Sequence, residues 1–118
     1  MSYEQLDLGN RPFDAKPGPV WRAATGPGRP VTFEQAVQLA ESALSSADMS
    51  VLSFQELDFG WVMVLQGRTY IETRELSDQL VGHGVTIVDR ETGDVYGSGS
   101  ATPAWDAILG YLEARVRR

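Results

Sequence analysis

Asp58-Phe59-Gly60-Trp61-Val62-Met63-Val64-Leu65, followed by Gln66-Gly67 and Arg68-Thr69-Tyr70-Ile71-Glu72-Thr73, is the stretch whose reading decides the fold. Its first part is a Gly-led apolar run whose Val and Trp content suits a pleated ladder better than a helix. The lack of alternation predicts a strand buried on both faces. Gln66-Gly67 then reads as the turn of a hairpin, with the β-branched and aromatic residues 68–73 as its partner strand. Further on, residues 85–90 and 95–97 flank Glu91-Thr92-Gly93-Asp94, a second hairpin in which Gly93 is placed to take positive φ. Two hairpins in succession predict an antiparallel sheet.

Working outward, residues 51–57 alternate partially and read as a first strand. Before them, Thr32-Phe33-Glu34-Gln35 fits a capping box, and Phe33, Ala36, Val37, Ala40, Ala43 and Leu44 follow the spacing of one helix face. That narrow, Ala-rich stripe suits close packing on a sheet. On the other side Thr102-Pro103 supplies a cap and a first-turn proline. Trp105, Ile108, Leu109 and Leu112 then form the stripe of a terminal helix whose last turn carries Arg115, Arg117 and Arg118, the sign a helix C-terminus favours. The expected architecture is α+β: an antiparallel sheet of four to five strands in two hairpins, with an N-terminal and a C-terminal helix packed on it. Residues 74–84 form the longest internal connection, and Leu76, Leu80 and Val81 suit one short helical turn there. Connections of this length often carry function.

Five of the six prolines precede Val31, interleaved with Gly18, Gly26 and Gly28. Neither a helix nor a central strand continues at that density, so residues 1–31 read as a Pro/Gly-rich arm and residues 32–118 as a single α+β domain. The arm's apolar Phe13, Val20 and Trp21 are expected to lie in a groove on the domain or to await a partner.

At 118 residues the chain affords one domain and one core. No apolar run approaches the roughly 18 residues of a membrane span, and the first residues show no basic patch leading into an apolar stretch. With no cysteine, disulfides and thiolate chemistry are excluded, and the cytoplasm is the expected compartment. The net charge of -6 is unevenly spread. Residues 32–114 hold three arginines against thirteen acids, a balance of -10, whereas residues 1–31 balance to +1. Such a body repels nucleic acid and membrane surfaces and attracts basic partners.

Reaction chemistry finds little support. His83 is the one histidine, and the glycines beside it confer mobility rather than preorganisation. A zinc site wants three or four ligands, which here would be carboxylates alone. Carboxylate pairs such as Glu56 with Asp58 or Glu72 with Glu75 would need an apolar cleft to separate their pKa values. Gly97-Ser98-Gly99-Ser100 lacks the helix-borne lysine of a phosphate loop and reads as the exit from the last strand. The expectation is a non-enzyme without cofactor or metal. Trp61 and Trp105 suit the core, while Trp21 suits an exposed anchor.

Four strings taken together carry a resemblance: Asp58-Phe59-Gly60-Trp61, Tyr70-Ile71-Glu72-Thr73, Leu80-Val81-Gly82-His83-Gly84, and Ile87-Val88-Asp89-Arg90-Glu91-Thr92-Gly93-Asp94-Val95. In this order, between a leading helix and a terminal helix entered at a proline, they resemble the YrhB-like family, also called immunity protein family 35. The likeness runs from about Val31 to Glu113 and leaves the arm outside. It implies a small α+β bacterial protein that neutralises a toxin of a polymorphic toxin system. Members without an obvious toxin look like general folding helpers. The family's Gly-x-Gly usually carries Asn where His83 stands here, which suits a left-handed turn role. The resemblance transfers no binding residue.

The expected function is therefore an immunity protein that binds and neutralises a cognate toxin by direct contact, with a chaperone-like holdase as the alternative. A monomer and a homodimer through an open sheet edge both remain open. The expected contact set is Glu56, Asp58, Glu72, Glu75 and Asp78 with His83, brought together because turns at neighbouring strand ends converge on one edge. Trp21 joins it from the arm.

Overall fold

The apolar run beginning at Gly60 becomes β4 (Gly60–Gly67), an interior strand with neighbours on both sides. The computed structural model describes residues 3–43, 49–75 and 84–116. In chain order its elements are β1 (Glu4–Gln5), β2 (Trp21–Ala24), α1 (Phe33–Ala43), β3 (Met49–Leu57), β4, α2 (Arg68–Thr73), β5 (Thr86–Asp89), β6 (Val95–Gly97) and α3 (Ala104–Val116). The strands form one six-stranded sheet in the order β1-β3-β4-β5-β6-β2. Every neighbouring pair is antiparallel except β1 and β3, which run parallel with Glu4 opposite Ser53 and Gln5 opposite Phe54.

Two expectations are corrected. The sheet has six strands and is mixed, not four to five and antiparallel, because the Pro/Gly-rich arm contributes β1 and β2. Both lie at the edges, the places where a proline-rich segment can pair on one side alone. Residues 68–73 are helix α2, not a strand. The hairpin partner of β4 is β3, through the tight Asp58-Phe59 turn, and β5 takes its remaining side. No edge of β4 is left for residues 68–73. None of them is buried, and Thr73 Oγ1 donates to the Thr69 carbonyl at 2.9 Å one helical turn back. The second hairpin stands as read, β5 to β6 with Gly93 at φ 78°.

Pleating sorts β4 between two layers. Trp61, Met63 and Leu65 join Val88 and Val95 beneath α1, while Val62 and Val64 join Ile87 and Tyr96 beneath α3. The register carries this across the sheet, since Trp61 lies opposite Val88 and Val88 opposite Val95, with Val62, Ile87 and Tyr96 matched in the next row. Helix α1 opens on the expected capping box. The Gln35 N–H donates to Thr32 Oγ1 at 3.2 Å, and the Thr32 N–H donates to Gln35 Oε1 at 2.9 Å. Ala36, Val37 and Ala40 face the sheet, and Phe33 stacks among Tyr3, Phe54 and Trp61 with ring centroids 4.5 to 6.1 Å away.

Helix α3 is rotated from its expected stripe. Ala107, Ile108, Gly110 and Tyr111 are its buried residues, whereas Trp105, Leu109 and Leu112 are half-buried. Gly110 is buried because the arm crosses the helix there: a Cβ at this position would stand 2.0 Å from the Gly18 carbonyl oxygen. The Gly18 N–H completes the crossing by donating to the Asp106 carbonyl at 2.8 Å. Alanine is the better helix former by up to about 1 kcal/mol, so Gly110→Ala would stabilise an isolated helix. Here the clash dominates, and a net loss of about 1–2 kcal/mol in urea unfolding is expected.

Candidate functional site

Asp89 closes β5 and is wholly buried although it carries a carboxylate. Such a group persists in an apolar setting only with partners on both oxygens. Oδ1 accepts the Glu91 N–H at 2.8 Å and the Thr92 N–H at 3.2 Å, which folds the chain back into the β5–β6 turn. Oδ2 accepts the Tyr111 hydroxyl at 2.5 Å and lies 3.8 Å from Arg115 Nε. Arg115 also reaches Glu91 at 3.1 Å. Burial pushes the Asp89 pKa up, but the Tyr111 hydroxyl, the two amides and Arg115 together hold it below the ordinary carboxylate range.

Arg90, the next residue, points to the neighbouring turn. Its guanidinium donates to the Asp58 carbonyl at 3.0 Å and the Leu57 carbonyl at 3.2 Å, pairs with the Glu56 carboxylate, and lies over the Trp61 ring at 5.1 Å. Its N–H donates to the Phe59 carbonyl at 2.8 Å. One side chain thereby staples the β3–β4 turn to the β5–β6 turn. Beside it opens a groove of about 560 Å³ between the β3–β4 turn and α3. Half-buried Leu57, Phe59, Trp105 and Leu112 line it, with the exposed carboxylates of Glu56 and Asp58. Trp105 is half-buried, packing against the core beneath α3 and also lining the groove, its Nε1 donating to the Leu8 carbonyl at 3.1 Å. Trp61 is in the core, as expected.

The expected contact set is divided. Glu56 and Asp58 flank the β3–β4 turn, whereas exposed Glu72 lies on α2 and exposed Glu75 just after it, beyond the other end of β4. An eight-residue strand separates the pairs, about 25 Å. The expected convergence required residues 68–73 to return as a strand alongside β4; as a helix they stay at its far end. Asp78 and His83 lie outside the described residues. Trp21 sits on edge strand β2 opposite Gly97, its ring against that glycine and 53% exposed. Phe13 on the arm is wholly exposed, while Val20 packs beneath α3.

Sequence reading passed over Asp89, Arg90 and Tyr111 as a unit. A usable signal existed, because Tyr111 continues the spacing of Ala104, Ala107 and Ile108 and so belongs to the buried face. Among the described residues no three His, Cys, Asp or Glu side chains are placed to hold a metal ion, and no helix is long and apolar enough to cross a membrane.

The family model for immunity protein 35 matches residues 34–108, spanning α1 through the first turns of α3, and the chain belongs to that family. It is 26% identical over 83 residues to the uncharacterized protein YrhB of Escherichia coli strain K12, an alignment covering 69% of this chain and 88% of that protein. No solved structure matches it. The matched segment contains the Asp89–Arg90 turn, whereas β1, β2 and the rest of the arm fall outside it.

Two outcomes follow for the buried carboxylate. Tyr111→Phe leaves Asp89 short of a hydroxyl donor and is expected to cost about 2–3 kcal/mol in chemical denaturation. Because the folded-state pKa of Asp89 is depressed, its contribution is fully present above the unfolded carboxylate pKa and is lost as pH falls through the folded value. Unfolding curves collected from neutral pH into the acid range should show a shallower acid limb for Asp89→Asn than for the wild type, from a lower starting stability.

Proposed function

We propose that the protein neutralises a cognate bacterial toxin by binding it directly, without catalysing a reaction of its own. Membership of the immunity protein 35 family, over most of the folded body, is the observation that carries this reading. The chemistry of the body supports it. The Asp89 carboxylate, held below its ordinary range, is consumed in holding a turn to a helix, and Arg90 in holding two turns together. What the surface offers instead is charge, -6 over the chain as the sum of +1 on residues 1–31 and -7 on residues 32–118. That field speeds encounter with a basic toxin surface, while apolar contact sets the lifetime of the complex.

The far end of β4 is the surface we assign to the toxin. Helix α2 contributes no buried residue to the fold, so its Glu72, with Glu75 beyond it, is free of any core role. The connection that carries Asp78 and His83 leaves from this point. Blocking a toxin at this end would leave the turns around Asp89 undisturbed.

The test takes a secreted toxin encoded beside this gene, where the neighbouring gene encodes one, produced as an inactive variant. Co-expression of the chain with active toxin should restore growth, and the purified pair should form a complex. Protection of unrelated proteins from heat aggregation, with no complex, would favour the holdase instead. Glu72→Lys with Glu75→Lys should slow association by about an order of magnitude at low salt, the difference closing as salt is added. Unchanged stopped-flow rates would remove this end from the interface.

A further inference from the structure

The arm and the groove carry complementary chemistry. Phe13 is fully solvent-exposed at a tight turn in which the Ala15 N–H donates to the Pro12 carbonyl at 3.1 Å. Both ends of the loop that bears it are fastened to α3. Trp105 Nε1 holds the Leu8 carbonyl, and Gly18 is bonded to Asp106 and pressed on Gly110. A third tie, from the Gly9 N–H to Asp7 Oδ1 at 2.9 Å, shapes the loop's entrance. A phenyl ring on a loop braced in this way loses little conformational freedom on docking. A fully exposed phenylalanine costs solubility and contributes nothing to this fold.

Arg11 and Lys16 flank that turn, both exposed and outnumbering its exposed Asp14, and neither forms an ion pair among the described residues. The groove beside the β3–β4 turn is their counterpart, with four apolar walls, the Arg90–Glu56 ion pair and the exposed carboxylate of Asp58. Trp105 belongs to both features, bracing the loop with its indole N–H and lining the groove with its ring. An apolar projection on a turn of net positive charge and an apolar hollow with a rim of net negative charge are therefore borne by the same helix of the same chain.

We infer that the protein self-associates by seating the Phe13 turn of one copy in the Leu57–Phe59–Trp105–Leu112 groove of another, with Arg11 and Lys16 against Asp58. Exchange about a two-fold axis uses both turns and both grooves and closes the assembly as a dimer. The phenyl ring supplies the buried anchor, and the opposed charges set its orientation and favour association at low salt. This surface lies at the opposite end of β4 from α2, so the inference stands independently of the neutralisation reading.

Sedimentation equilibrium of the full chain tests it. The wild type should show a monomer–dimer equilibrium that weakens with salt. Phe13→Ala should weaken it at least about tenfold with no change in melting temperature, since the ring touches nothing in the monomer. Asp58→Lys alone, and Arg11→Glu with Lys16→Glu, should each weaken it, and combining the three should recover much of the loss. Glu56 is left intact because it pairs with Arg90. A chain that stays monomeric at every concentration would overturn the inference. So would a dimer undiminished by Phe13→Ala, which would instead point to pairing through the β2 edge.

Discussion

The Asp89 carboxylate, without exposure to water, binds three pieces of this molecule to one another: the end of β5, the turn into β6, and α3 through Tyr111 and Arg115. A buried ion held by several donors adds little net stability over an apolar replacement, yet breaking it is costly because the remaining charge is stranded. Its effect is on uniqueness. Rotation of α3 by one residue would withdraw the Tyr111 hydroxyl from Asp89, so the helix has one register on the sheet. That register places Trp105 on the groove and Gly110 under the arm.

The same turn governs the arm. The Gly26 N–H donates to Asp94 Oδ1 at 2.8 Å, the Gly28 N–H to the Thr92 carbonyl at 2.9 Å, and the Val31 N–H to the Arg90 carbonyl at 3.0 Å. These bonds draw the chain along the β5–β6 hairpin and bring β2 to the edge beside β6. At the opposite edge β1 covers Ser53 and Phe54, Gln55 Oε1 accepts the Leu8 N–H at 3.0 Å, and Glu41 Oε2 accepts the Val51 N–H at 3.0 Å. This side of the long strand β3 is thus taken by the two residues of β1 and by the Glu41 carboxylate, which protects it from pairing with another chain. A segment outside the family's matched region finishes the sheet on both sides.

Legibility followed the range of the interactions involved. The capping box at Thr32, the doubly buried strand from Gly60 and the turn at Gly93 depend on neighbours within a few residues, and each is present as read. Residues 68–73 were misread because Thr, Tyr and Ile favour strands wherever an edge is free, and the competing claims of β3 and β5 on β4 are invisible in composition. The division of the acidic set has the same origin, since a helix in place of a returning strand leaves Glu72 and Glu75 at the far end. Tyr111 was hidden by its more hydrophobic neighbours Leu109 and Leu112, although its spacing from Ala104 and Ile108 marked the buried face.

By itself the sequence determined the α+β character, the two helices that cover the sheet, the β5–β6 hairpin, the acidic surface and the resemblance to the immunity family. All of these reside in local pattern or in charge, which need no partner to be visible. Tertiary structure decided which strand pairs with β4, where the arm lies, and that Asp89, Arg90 and Tyr111 act together. Residues 22 to 34 positions apart meet in those contacts, and only the assembled sheet with α3 upon it brings them within bonding distance.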